Sequence, residues 1–351
     1  MINPAVALRP ALAQTAPQDC GEYYLTLAAR PDYPLVEALD RQAAAAEMPI
    51  PLTAASIEWL VDRNPAGQGF VVLARERSDD AIIGHFLFYP HRLYVREEGE
   101  GEARPIVAFL YVSLFVAPPY RRRGVFTAMA VYGLDVLRRA DVRFAYTVPN
   151  PRSTAGFLKM GMHRIGTVPF WASPYRLGGR LFELAARPAA WQAGSRFRVE
   201  PAGRFDERHE ALVREAPPQR ARVWGARTQA ELGWRFGRPG VAYTVWNLLD
   251  GDGLAGYAVT REMHIAPYDA LVLCDLWLRR AQRSALAFLL NEIRHRLHQS
   301  ASHLPDLLIA MCGWPAGADG RSLLAAGFLP VPQRLLPQPV ALVGGPLEAS
   351  L

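Results

Sequence analysis

Apolar runs of strand length alternate with helical patterns along the first half of the chain. Helices are predicted at 33–41, 56–61, 127–139 and 153–160, and strands at 69–75, 81–89, 106–116, 142–148 and 165–171. A polar turn joins the first two strands as a hairpin, and the segment before residue 33 lacks such a pattern and is expected to be loose. This mixed order predicts an α/β fold with a mixed sheet.

The second half repeats the same order of elements in a weaker form. Its predicted strands are 243–249, 254–261, 271–278 and 307–312, and its long helix is 284–298. The turn Asp250-Gly251-Asp252-Gly253 makes a hairpin of the first two strands, and the segment 322–328 is similar in character to 157–162. A repeated order of this kind predicts a tandem pair of similar units.

Length and breaker residues place the predicted domain boundary. At 351 residues the chain exceeds the roughly 100–200 residues of a typical domain. The segment from Leu177 to Gly203 contains Gly-Gly and Arg-Pro-Ala-Ala breaks between the two repeated patterns. We therefore predict a first domain at 1–176, a linker at 177–203 and a second domain at 204–351.

Composition describes a globular protein with a slight basic excess. Hydrophobic residues make up 50% of the chain and charged residues 21%, which is enough to build packed cores. The formal net charge of +6 suits an anionic ligand, and it is equally typical of arginine-rich proteins from high-GC genomes. The arginines are spread along the chain without an RNA-binding aromatic motif, so we expect no nucleic-acid partner.

The cysteines and the apolar runs bear on compartment and membrane association. Cys20, Cys274 and Cys312 have spacings that fit neither a disulfide framework nor a metal knuckle, so we expect no metal and a reducing cytoplasm. The N-terminal segment lacks a signal-peptide pattern, and no run of about 18 apolar residues occurs. We therefore expect neither secretion nor a membrane partner.

One segment carries the signature of an anion site. The predicted strand ending near Val116 runs into Pro118-Pro119, then into the cationic turn Arg121-Arg122-Arg123-Gly124, and then into a helix. The start of a helix offers backbone N–H groups without intrahelical partners and the positive end of the helix dipole. Gly124 permits close backbone approach, so the turn can hold a pyrophosphate.

This segment resembles the coenzyme A-binding motif of the GNAT N-acetyltransferase superfamily. The matching residues are Val116, Pro118, Tyr120, Arg121 and Gly124, and Phe126 stands where the family has a small residue. A second match lies at the family's usual spacing, with Asn150, Ser153, Phe157, Lys159 and Gly161-Met162, where Phe157 replaces a tyrosine and Met162 a phenylalanine. The two matches, in order and at the right separation, together resemble the GNAT superfamily. The segments Glu58-Trp59 through Asn64-Pro65-Ala66-Gly67 and Leu232-Gly233-Trp234-Arg235-Phe236 are similar to segments of the bacterial two-unit GNAT proteins, and aromatic core packing explains them equally well.

The resemblance implies acyl-CoA, and first of all acetyl-CoA, as co-substrate. The residues that it places at the cofactor are Leu114, Phe115, Val116, Arg121, Arg122, Arg123, Gly124, Val125, Phe126, Thr127, Asn150, Ser153, Phe157 and Lys159. In the family, backbone N–H groups like those at 114–116 hold the carbonyl oxygen, and the asparagine meets the pantetheine arm. The family's tyrosine often protonates the leaving thiolate, which Phe157 cannot do.

The residues that could accept the proton of the amine have weaker support in the sequence. Strand alternation places Tyr111 and Ser113 on one face of the strand 106–116, which lacks the glutamate that the family often uses. His85 and His91 are alternatives. Asp275 is a carboxylate in an otherwise apolar strand, so it either binds an amine or pairs with Arg279 or Arg280.

The function that these observations predict is transfer of an acyl group to nitrogen. The resemblance implies direct transfer from acetyl-CoA to a small primary amine, such as an amino sugar or an amino-acid-like metabolite. Long-chain acyl transfer from CoA or an acyl-carrier protein, a non-catalytic CoA-binding protein, and aminoacyl transfer from tRNA stay open as alternatives. The stretch 278–285 lacks a glycine, so the second unit is expected to bind no CoA.

Overall fold

A computed structural model describes most of the chain. The described residues are 4–44, 52–97, 102–174, 196–218, 221–265, 267–279, 283–300, 305–311, 320–336 and 340–347. Most of the predicted linker, residues 177–195, lies outside them, as does Cys312. The stretch 278–285 is described except at 280–282.

Helices and strands alternate through both halves. Up to residue 174 the elements are α1 (Pro4–Ala13), β1 (Gln18–Asp19), β2 (Tyr23–Leu27), α2 (Tyr33–Ala44), α3 (Ala54–Val61), β3 (Phe70–Glu76), β4 (Ile82–Val95), β5 (Arg104–Val116), α4 (Val125–Arg139), β6 (Phe144–Thr147), α5 (Pro151–Lys159), β7 (His163–Thr167) and β8 (Phe170–Pro174). From residue 196 onward they are β9 (Phe197–Ala202), α6 (Glu207–Glu215), β10 (Val223–Gly225), α7 (Gln229–Phe236), β11 (Thr244–Asp250), β12 (Gly253–Ile265), β13 (Tyr268–Leu278), α8 (Arg283–Ser300), β14 (Leu307–Met311), α9 (Gly320–Ala325), β15 (Leu329–Pro330) and β16 (Ala341–Pro346). The predicted mixed α/β class is confirmed.

The chain divides into two compact units whose limits differ from the predicted boundaries. The first comprises Met1–Gly166, Arg238–Gly240 and Ala341–Leu351, and the second comprises Thr167–Gly237 and Val241–Val340. The end of the chain therefore belongs to the first unit. The described end of the predicted linker is ordered as β9, which pairs with β11 in the second unit.

The first unit is built on a mixed sheet with the strand order β1-β2-β3-β4-β5-β6-β16-β7. Its core lies where α4 packs on the sheet, because α4 carries an apolar stripe at helical spacing that includes Val125, Met129 and Val136. Leu8 and Ala11 of α1 are buried in the same core. The expectation of a loose N-terminal segment is therefore wrong for α1.

The predicted strand 165–171 is two strands in two different sheets. β7 ends at Thr167 and lies beside β16 in the first sheet, whereas β8 begins at Phe170 and pairs with β14 in the second. Pro169 lies between them, and a proline has no N–H to donate to a ladder. Val168 instead donates its N–H to the Val340 carbonyl at 2.8 Å, just before β16.

Each sheet receives a strand from the other half of the sequence. β16 lies between β6 and β7, and β8 lies between β14 and β15. Gly344 allows β16 to fit, since a Cβ on it would come within 2.7 Å of the Tyr146 Cβ atom and 2.8 Å of the Ala145 carbonyl oxygen. Arg294 of α8 donates to the buried Ser173 hydroxyl of β8 at 2.8 Å.

The second unit has the strand order β15-β8-β14-β13-β12-β11-β9. Like the first unit, it has a bulged strand and a short parallel ladder next to it. The β12–β13 register shifts by one residue, so Cys274 is the extra residue of a bulge between Leu273 and Asp275. The parallel pairing of β13 with β14 covers only residues 270–273 of β13. Within the described residues, no helix is long and apolar enough to cross a bilayer.

Candidate active site

Strands β5 and β6 pair over a short stretch and then diverge. Their parallel ladder consists of Phe109 with Ala145 and Leu110 with Tyr146. Beyond Leu110, β5 continues to Val116, while β6 ends at Thr147 and leads into α5. In the described part of the chain, the β6-facing backbone groups of 111–116 therefore have no strand partner. A strand edge of this kind presents N–H and C=O groups to a ligand.

A bulge marks the same stretch of β5. His85 of β4 lies opposite Phe115 and Leu87 lies opposite Val112, so Ser113 and Leu114 share the position facing Phe86. Ser113 has a φ of 49°, in the left-handed region. The bulge therefore changes which side chains share a face of the strand.

The bulge shifts the alternation of core-facing side chains along β5 by one residue. Before it, Phe109 and Tyr111 lie in the core of the unit. After it, Leu114 and Val116 pack against that core. Ser113, which is half-buried, lies at the bulge itself, and its place on the face of Tyr111 stays a prediction.

The N-terminus of α4 is open. Gly124 is its N-cap residue with a φ of 81°, and no side chain caps the first turn. A Cβ atom on Gly124 would meet no heavy atom within 4 Å. The amides of Val125, Phe126 and Thr127 are the first-turn donors, for which a helix has no internal acceptor. The geometry therefore presents converging N–H donors and the positive end of the helix dipole to an anion.

The three arginines of the turn have different surroundings. Arg121 donates through Nε to the Val116 carbonyl at 3.0 Å and lies 5.6 Å from the centroid of the Phe115 ring. Arg123 forms an ion pair with Glu22 at 3.1 Å. Arg122 is exposed, has a φ of 64° and makes no ion pair or hydrogen bond with the described residues. Among the described residues, Arg122 is therefore the arginine of this turn whose charge has no partner and can face an anionic ligand.

Asn150 fixes the start of α5. Its Oδ1 accepts the Ser153 N–H at 2.9 Å and the Ser153 hydroxyl at 3.1 Å, and Pro151 occupies the first helical position. The amide oxygen is committed to this cap, so the NH2 group of Asn150 is the part of the side chain that can donate to a ligand. Lys159, in the last turn of α5, is exposed.

Two phenylalanines connect the start of α4 with the last turn of α5. The Phe126 ring lies 5.2 Å from the Phe157 ring, centroid to centroid, and a Cβ on Gly156 would come within 2.5 Å of Phe126. Phe157 is 3% exposed and lies 5.2 Å from the Tyr111 ring. Phe157 therefore belongs to the core and offers no proton to a ligand.

The remaining titratable candidates of the first unit differ in their burial and in their hydrogen bonds. Tyr111 is 1% exposed, its hydroxyl has no hydrogen-bond partner, and burial raises its pKa well above the usual value. His91 Nδ1 is hydrogen-bonded to the Tyr146 hydroxyl. His85 is fully buried, with Nε2 3.5 Å from a carboxylate oxygen of Asp40.

Asp40 is a functional candidate that sequence reasoning missed. It is 1% exposed, and its other oxygen accepts the Leu52 N–H at 2.6 Å. The signal was present in the sequence, because Tyr33, Val36 and Asp40 follow helical spacing along the buried face of α2. A carboxylate within such an apolar stripe marks a buried polar contact.

Asp275 is bound within the second unit. Its carboxylate accepts from Arg227 Nε at 2.9 Å and Nη2 at 2.8 Å, and from the Tyr257 hydroxyl at 3.1 Å. Burial alone would raise the pKa of Asp275, but the Arg227 charge and hydrogen bonds outweigh it and lower that pKa. Among the described residues the partner is thus Arg227, and Arg279 instead pairs with Glu215 at 3.2 Å. Arg280 lies outside the described residues. Both carboxylate oxygens are committed to a structural ion pair.

The residues around the β5–β6 divergence fit an acyl-CoA molecule. The open space at Gly124 and the uncapped amides of α4 suit a pyrophosphate, and the Asn150 NH2 group and the unpaired edge of β5 suit an amide-containing arm. Among the described residues, no group of three or more His, Cys, Asp or Glu could hold a metal ion.

Comparison with known proteins agrees with this geometry. Residues 33–162 match the family model described as "Acetyltransferase (GNAT) family". No curated protein sequence matches the chain.

Among solved structures, a probable N-acyltransferase of unknown function from Enterococcus faecalis V583 has a TM-score of 0.63 at 14% identity, over 94% of this chain and 74% of that chain. A tandem GNAT protein from the clavulanic acid biosynthesis pathway has a TM-score of 0.60 at 17% identity, over 94% of this chain and 100% of that chain. A GCN5-related N-acetyltransferase from Anabaena variabilis ATCC 29413 has a TM-score of 0.61 at 13% identity, over 93% and 73%.

At these identities, the solved structures establish the fold, and the family model identifies the segment that contains the open helix terminus. Residues 33–162 match the GNAT family model, and the chain shares its fold with the tandem GNAT protein from the clavulanic acid biosynthesis pathway.

Proposed function

We propose that this chain is an acyl-CoA-dependent N-acyltransferase that transfers an acetyl group directly to a small primary amine. The observation that carries the proposal is the open N-terminus of α4 beside the divergence of β5 and β6. Bound acyl-CoA supplies an activated thioester there. The chain's own part is to hold the phosphates at 124–127 and to offer β5 backbone N–H groups to the carbonyl oxygen.

An acetyl donor is favoured over a long acyl chain by the two phenylalanines that would border an acyl tunnel. The Phe126 ring packs against Gly156 and Phe157. The Phe115 ring has Arg121 at 5.6 Å and the His85 ring at 6.0 Å. Since both phenylalanine rings already pack against neighbouring side chains, we favour the smaller acetyl group.

The acceptor is proposed as a small molecule with a primary amine. An amine must lose a proton before it can attack a carbonyl carbon. Two histidines of β4 are proposed as the proton acceptor. His91 is hydrogen-bonded to Tyr146, at the point where β5 and β6 diverge, and His85 lies beside Asp40. Amino sugars and amino-acid-like metabolites are the classes to screen first.

Calorimetric titration of acetyl-CoA into wild type, Gly124→Ala and Gly124→Asp tests the proposed phosphate site at 124–127. We expect Gly124→Asp to weaken binding at least tenfold, since it adds a negative charge where the pyrophosphate is proposed to bind. Gly124→Ala introduces the backbone strain without the charge, so it is expected to lose less acetyl-CoA affinity than Gly124→Asp.

Gly251→Asp is the matched control for this titration. Gly251 has a φ of 60° and open space around it, like Gly124, but it lies in the turn between β11 and β12 of the second unit. The acetyl-CoA affinity of this variant is expected to stay within about twofold of wild type, because the added charge lies outside the residues proposed to bind CoA. Equal binding by Gly124→Asp and Gly251→Asp would mean that the phosphate site is misplaced.

A non-catalytic CoA-binding protein is the second candidate, and the absence of a hydroxyl at Phe157 favours it. The two candidates differ in thiol release. Release of free CoA thiol from acetyl-CoA in the presence of any amine from a panel supports the enzyme, whereas binding without release from every amine supports the non-catalytic candidate.

A further inference from the structure

The second unit contains a cavity of about 660 Å³ near the β9 edge of its sheet. The residues that line it come from the chain after β9, from α6 and α7, and from the start of β11, all within that unit. This volume falls in the range of roughly 300–1,000 Å³ that small-molecule sites occupy. The cavity shares no residue with the proposed CoA site.

Three aromatic side chains line this cavity. The Phe236 ring lies 5.7 Å from the Phe205 ring and 5.3 Å from the Tyr243 ring, centroid to centroid. Phe205 is buried, whereas Phe236 and Tyr243 are half-buried and keep part of their surface for a ligand. Aromatic rings prefer to pack on one another edge-to-face or offset, so this lining suits a ligand that carries an aromatic ring.

Two opposite charges line the cavity without pairing with each other. Arg204 is exposed and makes no ion pair or hydrogen bond with the described residues. Within the described chain, Glu210 of α6 accepts one hydrogen bond, from the Gln229 N–H to Oε2 at 2.9 Å, and forms no ion pair. Oε1 of Glu210 can therefore accept from a ligand. A cation and a carboxylate that face one cavity are complementary to a ligand that carries both charges.

A glycine inside α7 leaves room at the cavity. Gly233 lines it, and a Cβ atom on Gly233 would meet no heavy atom within 4 Å. Packing therefore does not require glycine here, although glycine is among the least favourable residues in a helix interior. Space for a ligand gives this glycine a physical reason.

We propose that this cavity binds a zwitterionic amino acid with an aromatic side chain. Arg204 binds its carboxylate, Oε1 of Glu210 accepts a hydrogen bond from its ammonium group, and its ring packs against Phe236 and Tyr243. The two charged contacts fix the orientation of the ligand, and the rings supply the apolar contact. The inference concerns binding by the second unit and does not depend on the proposed acyl transfer.

Ligand-observed NMR titration of the full chain with L-phenylalanine tests the proposal. We expect a Kd of about 1 mM or below, which is typical of a ligand of this size. Three analogues each lack one feature: phenethylamine has no carboxylate, 3-phenylpropionate has no ammonium group, and L-alanine has no ring. Each is expected to bind at least about tenfold more weakly, because the missing group leaves its partner in the cavity without a contact.

Two variants that each remove one charge assign the two ends of the ligand. Arg204→Gln is expected to weaken L-phenylalanine binding at least about tenfold and to leave phenethylamine within about twofold, since phenethylamine has no carboxylate. Glu210→Gln is expected to weaken L-phenylalanine binding by a similar factor and to leave 3-phenylpropionate within about twofold. The glutamine carbonyl can still accept the Gln229 N–H, so this variant is expected to fold.

Arg214→Gln and Glu207→Gln are the matched controls. Both residues are exposed on α6, neither lines the cavity, and neither has a partner among the described residues. Both variants are expected to keep L-phenylalanine affinity within about twofold of wild type. Gly233→Leu, which places a side chain at the cavity, is expected to abolish binding without lowering Tm, because leucine favours a helix more than glycine does.

Three results would overturn the proposal. The first is no binding of L-phenylalanine up to about 10 mM. The second is an analogue that binds as tightly as L-phenylalanine, and the third is an equal loss of affinity in the cavity variants and in their controls. Acetyl-CoA binding and thiol release measure the proposed acyl transfer separately, so that function stands or falls on its own test.

Discussion

Phe126 lies directly against Gly156. A Cβ atom on Gly156 would come 2.5 Å from Cε1 and 2.9 Å from Cζ of the Phe126 ring. The Phe126 ring, which stands where the GNAT family has a small residue, is therefore accommodated by the missing side chain of Gly156 on the neighbouring helix. This contact couples the start of α4 to α5, the two helices that border the candidate site.

Gly156→Ala is expected to lower the free energy of unfolding, although alanine favours a helix by about 1 kcal/mol over glycine. The clash with Phe126 costs about 1–3 kcal/mol and outweighs that gain. On a Phe126→Ala background, the same Gly156→Ala change is expected to stabilise by about 1 kcal/mol. Denaturant unfolding of the four proteins of this double-mutant cycle measures the coupling. Additive effects would show that the two helices are not coupled through this contact.

Gly344→Ala is expected to disturb the exchanged strand β16 and to cost about 1–3 kcal/mol of stability. Its Cβ would lie 2.7 Å from the Tyr146 Cβ atom and 2.8 Å from a backbone oxygen, neither of which can move away easily. Gly345→Ala in the same strand is the control, since its nearest neighbour would be at 3.6 Å. Thermal unfolding of both variants is the measurement. Equal losses at the two positions would contradict the close approach of β16 to β6.

Asp275→Asn is expected to destabilise the protein by about 3 kcal/mol at pH 7, because it leaves the buried Arg227 charge without its partner. The pKa of Asp275 is lowered in the folded chain, so the ionised carboxylate stabilises the fold above its unfolded pKa of about 4, and this contribution is lost as the pH falls through the folded pKa. The stability gap between wild type and Asp275→Asn should therefore narrow below about pH 4. Urea unfolding from pH 7 to 3 measures it.

Acetyl-CoA affinity distinguishes a structural Asp275 from one that takes part in binding. Both carboxylate oxygens accept hydrogen bonds inside the second unit, so Asp275→Asn is expected to leave acetyl-CoA affinity within about twofold of wild type at neutral pH. A loss of affinity in a protein that is still folded would return Asp275 to the candidate site.

Much of the first unit could be predicted because its signals are local. Helices α2, α4 and α5 follow from apolar spacing and caps within a few residues of each other, such as Asn150 with Ser153. Strand β4 is longer than predicted. Pro90 is a residue type that usually ends a strand, but β4 continues to Val95 through its pairing with β5. The ladder to a neighbouring strand holds a segment extended even where its own sequence contains a breaker.

The sequence by itself determined the turn before α4 and the repeated order of elements. A strand that ends in a proline bend, a glycine with positive φ and an uncapped helix start all depend on neighbours in the chain, so their pattern can be read directly. The tertiary structure alone decided which distant segments meet: the exchange of β8 and β16, the pairing of Asp275 with Arg227, and the register shift at Ser113 between β4 and β5. These contacts depend on strand register and burial, which a single sequence does not specify.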